Sequence, residues 1–291
     1  MSYDPQASAQ EQDKKSIFGV IVHSFFVVPF LLAVFSVLLF AAVRILTMEK
    51  HSVYDYLRDI KEGGLTKRWQ AAFELSRILS NKKETPQDEK FFDAMKSAFA
   101  QSSHDDDRVR QYLALAMART GDTRFVPVLL ENIKDEKDEN LGAIITALGI
   151  LKDKSAINVL STHLNNNDPR IRLAAVIALG DIGDPATAAM LKPMLNDTEA
   201  NITWDAAIAL AKMGDESAKP MVLKLLDRNY LAGFTEVDPQ EQTRIVSVAV
   251  AASAGWNDPD IDAVLKNLFV SDKNMNVRDL AHKILERKGK L

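Results

Sequence analysis

Five histidines, His23, His51, His104, His163 and His282, are the side chains best suited to metal binding or proton transfer, and their neighbours decide what they can do. They are followed by Ser, Ser, Asp, Leu and Lys. A His-Glu dyad that could hold a di-iron centre is therefore missing, as is the His and carboxylate spacing of a zinc site. With no cysteine in the chain, thiolate chemistry and disulfides are excluded. No Gly-rich phosphate loop and no G-x-S-x-G nucleophile elbow occurs. The dense acidic cluster, His104-Asp105-Asp106-Asp107, lies just before a helical pattern, where carboxylates cap the helix and favour its dipole. Trp69 and Trp204 could stack on nucleobases. Against that, 36 Lys and Arg face 40 Asp and Glu, and a net charge of −4 gives no general attraction to phosphate. Each Trp is expected to pack between helices instead. The chain is thus expected to have no catalytic, cofactor or metal site, to be no enzyme, and to bind no nucleic acid.

What remains is suited to binding proteins: an arginine series, Arg68, Arg110, Arg172, Arg244 and Arg278, and an apolar group, Tyr230, Phe234 and Val237. Their positions follow from an internal repeat. The segments 67–75, 172–179 and 203–210 each carry a small-residue pair followed by an apolar residue at helical spacing. Taking the closing apolar residue as a mark gives Leu75, Met117, Leu148, Leu179, Leu210, Ala251 and Leu285, with gaps of 42, 31, 31, 31, 41 and 34 residues. Asp122, Asp153, Asp184 and Asp215 recur at the same 31-residue interval, three of them after a Gly. The Gly suits a left-handed helix end and the Asp an N-cap, so each unit reads helix, tight turn, helix.

The helix from Ile171 to Ile182 is apolar nearly all round, whereas 186–195 is apolar on one side. One helix of each pair is therefore sandwiched and the other half exposed, as stacked hairpins require. Ala174 and Ala175 are expected to let backbones approach closely. The arginines stand seven residues before each mark, with Leu141 and Thr203 interrupting the series. Two long gaps locate insertions, 81–90 and 228–242, and the second is expected to hold Tyr230, Leu231, Phe234 and Val237 in a loop.

Ahead of the repeats, Ser16 to Val43 is a run of 28 residues without a charge, bracketed by Lys15 and Arg44. As a helix it would rise about 42 Å, more than the roughly 30 Å hydrocarbon core of a bilayer. It is about twice the length of a secretory signal's apolar stretch and ends on a poor cleavage site, so a membrane anchor is expected over 16–48. Pro29 should kink the helix or cost it one hydrogen bond. Two lysines precede the run, and Arg44, Lys50, Arg58 and Lys61 follow it, which puts the C-terminal domain in the cytoplasm. The lysine pair just before the apolar run argues the reverse, and the cytoplasmic side is the expected one.

The stretch Asp168-Pro-Arg-Ile-Arg-Leu-Ala-Ala-Val-Ile-Ala-Leu-Gly-Asp-Ile-Gly-Asp-Pro185 resembles HEAT repeats of the short bacterial, phycobilisome-lyase HEAT-like type. The resemblance spans about residues 63–291. It implies an all-α, right-handed α-α superhelix, with partners bound along a concave surface lined by the second helix of each repeat. It also implies that a recurring Arg pairs with an Asp of its own or the adjoining repeat, the alternative being a basic ridge for an acidic partner. The expected organisation is a polar tail over 1–15, a transmembrane helix over 16–48, a juxtamembrane linker over 49–62 and a solenoid of six to seven hairpins over 63–291. The expected role is a protein-binding scaffold or adaptor in a membrane, the bacterial inner membrane by the resemblance. Its partners would be an unidentified protein and, through 16–48, the lipid bilayer. An accessory subunit of a membrane complex is the alternative, and a lyase-type subunit a further one.

Overall fold

The computed structural model describes residues 23–46, 51–81, 83, 85–135 and 138–291, and the chain divides into two compact units, Met1–Ser52 and Val53–Leu291. The polar tail over 1–15 and the ends of the expected membrane helix, 16–22 and 47–48, lie outside the described residues. In the first unit a π-helical turn, His23–Val27, leads into helix α1, Val28–Leu46. Pro29 stands at the second residue of α1, directly after the π-helical turn, so the irregular hydrogen bonding falls where its missing N–H interrupts the ladder.

The second unit is built of helices alone among the described residues. They are α2 (Val53–Glu62), α3 (Leu65–Ile78), α4 (Glu89–Gln101), α5 (Asp107–Thr120), α6 (Phe125–Asn132), α7 (Asp138–Leu151), α8 (Ile157–Thr162) and α9 (Pro169–Ile182). Then follow α10 (Ala188–Leu191), α11 (Ala200–Lys212), α12 (Lys219–Leu226), α13 (Arg228–Ala232), α14 (Pro239–Ala252), α15 (Pro259–Ser271) and α16 (Met275–Arg287). The second helices of successive hairpins, α3, α5, α7, α9, α11, α14 and α16, pack directly on one another in chain order, so the unit is an α-solenoid. The segment expected as a linker up to residue 62 is in fact α2. It packs on α3 and buries Val53, Leu57 and Ile60, because its apolar residues fall on one face.

Local chemistry fixes the hairpins. Gly121, Gly183 and Gly214 adopt left-handed φ values of 71°, 65° and 78° at helix ends. Lys152 takes the equivalent place with φ 56°, where a Cβ is unfavourable. The Asp that follows each of these four residues accepts from the backbone N–H two residues on: Asp122, Asp153, Asp184 and Asp215 from Arg124, Ser155, Ala186 and Ser217 at 3.0, 2.8, 2.9 and 3.0 Å. Lys154, Lys192 and Lys219 of one hairpin reach Asp184, Asp215 and Asp258 of the next.

The marks Leu75, Met117, Leu148, Leu179, Leu210 and Leu285 are fully buried, but Ala251 is exposed and its neighbour Val250 is buried. The register of that repeat is therefore one residue earlier than expected. Of the alanine pair only Ala175 is core; Ala174 is half-buried. Closest approach occurs elsewhere. A Cβ added to Gly149 would lie 2.6 Å from Ala178 Cα, and one added to Gly180 2.7 Å from Ala209 Cβ. Glycine on one second helix thus faces alanine on the next.

Candidate partner-binding face

The second-helix layer has one open face. Residues six and two before a buried mark, and two after it, stand four apart and share a helix side. In α3 this side carries Trp69 and Phe73, in α7 Ile150, in α9 Leu173 and Ile177, and in α11 Trp204 and Ile208. Phe73, Ile150 and Ile177 are 41%, 40% and 42% exposed, although they belong to the layer that otherwise forms the core. Tyr112 of α5 packs edge-on against Phe73 at 5.3 Å. Large apolar side chains standing in solvent on α3, α7 and α9 make a surface suited to covering by another protein.

At its α11 end this face deepens into a cavity of about 160 Å³ between α11 and α14, lined by Trp204, Asp205, Ile208, Val237, Arg244 and Val248 among others. The insertion shapes it. Tyr230 and Leu231 lie in α13 rather than in a loop, because Asp227 caps that helix on Asn229 N at 2.9 Å and Leu231 is fully buried. Tyr230 and Phe234 pack edge-on to Trp204, with centroids at 6.4 and 4.8 Å, and the Trp204 indole N–H donates to the Tyr230 hydroxyl at 3.2 Å. Of the insertion, Val237 and Glu241 reach the cavity wall.

The arginine series divides by function. Arg68 pairs with Asp105 at 3.0 Å. Arg172 holds Asp197 through Nε and Nη2 at 2.8 and 2.9 Å, and donates to the Asn166 carbonyl at 3.0 Å. Arg110, buried, donates to the Phe99 carbonyl at 2.9 Å and lies over the Phe99 ring. Arg278 donates to the Asp272 carbonyl at 2.6 Å. Arg244 is exposed on the cavity rim and bound to Glu241. The one-residue register shift explains the difference, since the equivalent of Arg172 is Thr243. Arg228 from α13 fills that role, holding Asp272 at 2.8 and 2.9 Å and donating to Thr243 Oγ1 at 3.0 Å. Sequence reasoning missed Arg228. Its signal was the lack of an arginine at the true repeat position beside an Asp, Asp272, that still required one.

Asp205 was also missed. It occupies a position held by Gln70, Tyr112, Ala143 and Ala174 in other repeats, and no residue spacing distinguishes it. Burial pushes its carboxyl above the ordinary value, with Arg244 and Lys212 partly opposing. The acidic cluster before α5 is occupied structurally: Asp105 by Arg68, Asp106 by Arg108, which holds its pKa down to about 2, and Asp107 by Asn140 at 2.9 Å. Among the described residues no three His, Asp or Glu side chains gather as metal donors. A larger open groove, about 610 Å³, lies between α12 and α15, but its Arg228 and Asp272 are spent on each other.

Against this geometry, the family model for HEAT repeats matches residues 95–168 and 162–233. Over residues 95–233 the chain is thus similar to HEAT repeats. Among solved structures, the complex of CpcE and CpcF of phycocyanin lyase from Nostoc sp. PCC7120 is similar at 19% identity, over 82% of this chain and 97% of that one, with a TM-score of 0.56. The archaeal HEAT-like repeats protein from Thermococcus onnurineus NA1 is similar at 12% identity, over 82% and 97%, with a TM-score of 0.46. At these identities the likeness is one of fold. No curated protein matches the sequence. In the first unit, Phe25–Arg44 is long and apolar enough to cross a membrane, with a mean hydropathy of 2.8 and none of its residues buried.

Proposed function

We propose that the chain is a membrane-anchored scaffold that docks a protein on the open face of its HEAT-repeat layer and carries out no chemistry of its own. The observation behind this reading is that Phe73, Ile150 and Ile177 stand in solvent on helices whose marks Leu75, Leu148 and Leu179 are fully buried. It is supported by the 20-residue apolar helix Phe25–Arg44, whose described residues are exposed and whose natural solvent is lipid. A tether of this kind raises the effective concentration of the solenoid near a membrane-bound partner without adding a contact. The Lys and Arg balance around the apolar run supports a cytoplasmic solenoid. Arg244, Val237 and, through the packing they impose, Tyr230 and Phe234 contribute to the binding face. Arg68, Arg110, Arg172 and Arg278 serve the stacking of repeats.

The test is affinity capture from detergent-solubilised membranes with the full chain and with a form lacking residues 1–48. Both are expected to retain one stoichiometric partner, and substituting Phe73 and Ile177 by Asp should release it. Failure of both forms to retain any partner refutes the scaffold. Exchanging the apolar helix for an unrelated anchor separates this reading from an accessory subunit, in which the helix itself would be an interface and the exchange would abolish binding.

A further inference from the structure

The cavity beside Trp204 has a composition that selects its ligand. Its roughly 160 Å³ corresponds to about five waters at about 30 Å³ each, the bulk of an unbranched chain of about five non-hydrogen atoms. Trp204, Ile208, Val237 and Val248 make much of the wall apolar. Two carboxylates line it, and they differ. Glu241 is bound to Arg244 Nε and Nη2 at 2.7 and 2.5 Å, so both partners of that pair are occupied. Asp205 takes part in no hydrogen bond or ion pair among the described residues. Arg244 and Lys212 reach it only through the longer-range field, which Asp181 and Glu241 oppose. A half-buried carboxylate in apolar surroundings is held at a cost in free energy that an entering cation would recover.

We propose that this cavity takes a basic side chain of a partner polypeptide, its methylene stem along Trp204, Val237 and Val248 and its cationic head on the Asp205 carboxylate. An apolar stem ending in a positive charge is what lysine and arginine share. A neutral aliphatic group would leave Asp205 buried and unpaired, and an anionic one would face both Asp205 and Glu241. The inference rests on the scaffold reading above and names the group recognised at one end of its face.

The experiment uses the full chain in non-ionic detergent, labelled with 5-fluorotryptophan, and three probes: hexalysine, hexaarginine, and hexalysine acetylated on every Nε. At low ionic strength hexalysine or hexaarginine is expected to move the Trp204 fluorine resonance and not those of Trp69 and Trp256, while the acetylated peptide moves none. Asp205→Asn should weaken binding about tenfold, the size of one charge-assisted hydrogen bond, with helicity unchanged by circular dichroism. Val237→Trp, which fills the cavity without altering its charge, should abolish the shift. Glu286→Gln, at an exposed site on α16, should leave binding as it was. The assignment is overturned if neither basic peptide moves Trp204, if Asp205→Asn binds as tightly as the parent, or if Glu286→Gln loses as much as Asp205→Asn. A captured partner whose binding ignores Asp205→Asn overturns the cavity assignment and leaves the scaffold standing; an Asp205-dependent peptide shift without any captured partner does the reverse.

Discussion

Arg172 and Asp197 join one helical repeat to the next, and removing either should loosen the solenoid at that joint. The side chains are 15% and 6% exposed, and two hydrogen bonds of 2.8 and 2.9 Å hold them. Two opposite charges at about 4 Å attract by about 4 kcal/mol at an effective dielectric of about 20, and desolvation of the pair cancels part of this. Arg172→Met keeps most of the stem's packing but leaves Asp197 buried without its partner and frees the Asn166 carbonyl. Loss of a partner from a buried pair typically costs about 3–5 kcal/mol, and the 15% exposure of Arg172 places this case near the lower end. Asp197→Asn retains shape and one hydrogen bond and should cost about 1–2 kcal/mol. The double variant should be more stable than the sum of the singles predicts, by about 1–2 kcal/mol.

Urea denaturation followed by circular dichroism gives the global value, and amide exchange in α9 and α11 locates it, since repeat arrays open in parts. The pair also has a signature in pH. Hydrogen bonding from Arg172 holds the Asp197 carboxyl below its ordinary value. A group depressed in the folded state contributes its stability above the unfolded pKa of about 3.9 and loses it as pH falls through the folded pKa. The gap between the parent and Asp197→Asn should therefore be full at pH 7 and narrow below about pH 4. Singles that add within about 0.5 kcal/mol, or a gap independent of pH, would refute the claim that this contact couples the repeats.

Three further outcomes follow from the packing. Gly180→Ala should destabilise by about 1–2 kcal/mol, because its new Cβ falls 2.7 Å from Ala209 Cβ and the clash outweighs a helix-propensity gain of about 1 kcal/mol; Gly142→Ala, whose Cβ meets Ile171 Cδ1 at an ordinary 3.6 Å, should stabilise by up to about 1 kcal/mol in thermal melts. Arg228→Met should cost about 3 kcal/mol and increase amide exchange in α14 to α16, whereas Arg244→Met should cost no more than about 0.5 kcal/mol, and equal losses would return Arg244 to the structural series. Lys152→Gly should raise the melting temperature by an amount equivalent to about 0.5–1 kcal/mol, because it removes a left-handed Cβ, and a lower melting temperature would show that this strain is already relieved.

The middle of the solenoid was legible in the sequence because each repeat there is specified by local rules. A left-handed glycine, a capping Asp and a buried Leu each have a narrow choice of residue, and a 31-residue gap leaves no slack between them. At the edges of that region the rules lose their hold for a physical reason. In the repeat ending at Val250 the insertion lengthens the loop, so spacing no longer fixes register, and Ala251 was as acceptable a mark as its neighbour. The structural arginine of that repeat comes from Arg228, fifteen residues before Thr243, and only three-dimensional proximity reveals the substitution. The first hairpin was hidden differently. Charged side chains, Asp55, Arg58, Asp59, Lys61 and Glu62, make α2 read as a polar linker, yet they leave one face to Val53, Leu57 and Ile60, as suits a helix that closes the end of a stack.

The same contrast separates what stabilises the repeats from what they offer to a partner. The features that fix each hairpin, the left-handed residue and the capping Asp, recur with the repeat and could be inferred from spacing. A recognition group has no such obligation. Asp205 stands at a position where other repeats carry Gln, Tyr or Ala, and it acquires meaning only from the wall of Trp204, Val237 and Val248 that the aperiodic insertion builds beside it. Residues that depart from the repeat while remaining half-buried on its open face are therefore the ones to search for specificity. In this chain that criterion leads to Asp205 rather than to the arginines whose regularity first drew notice.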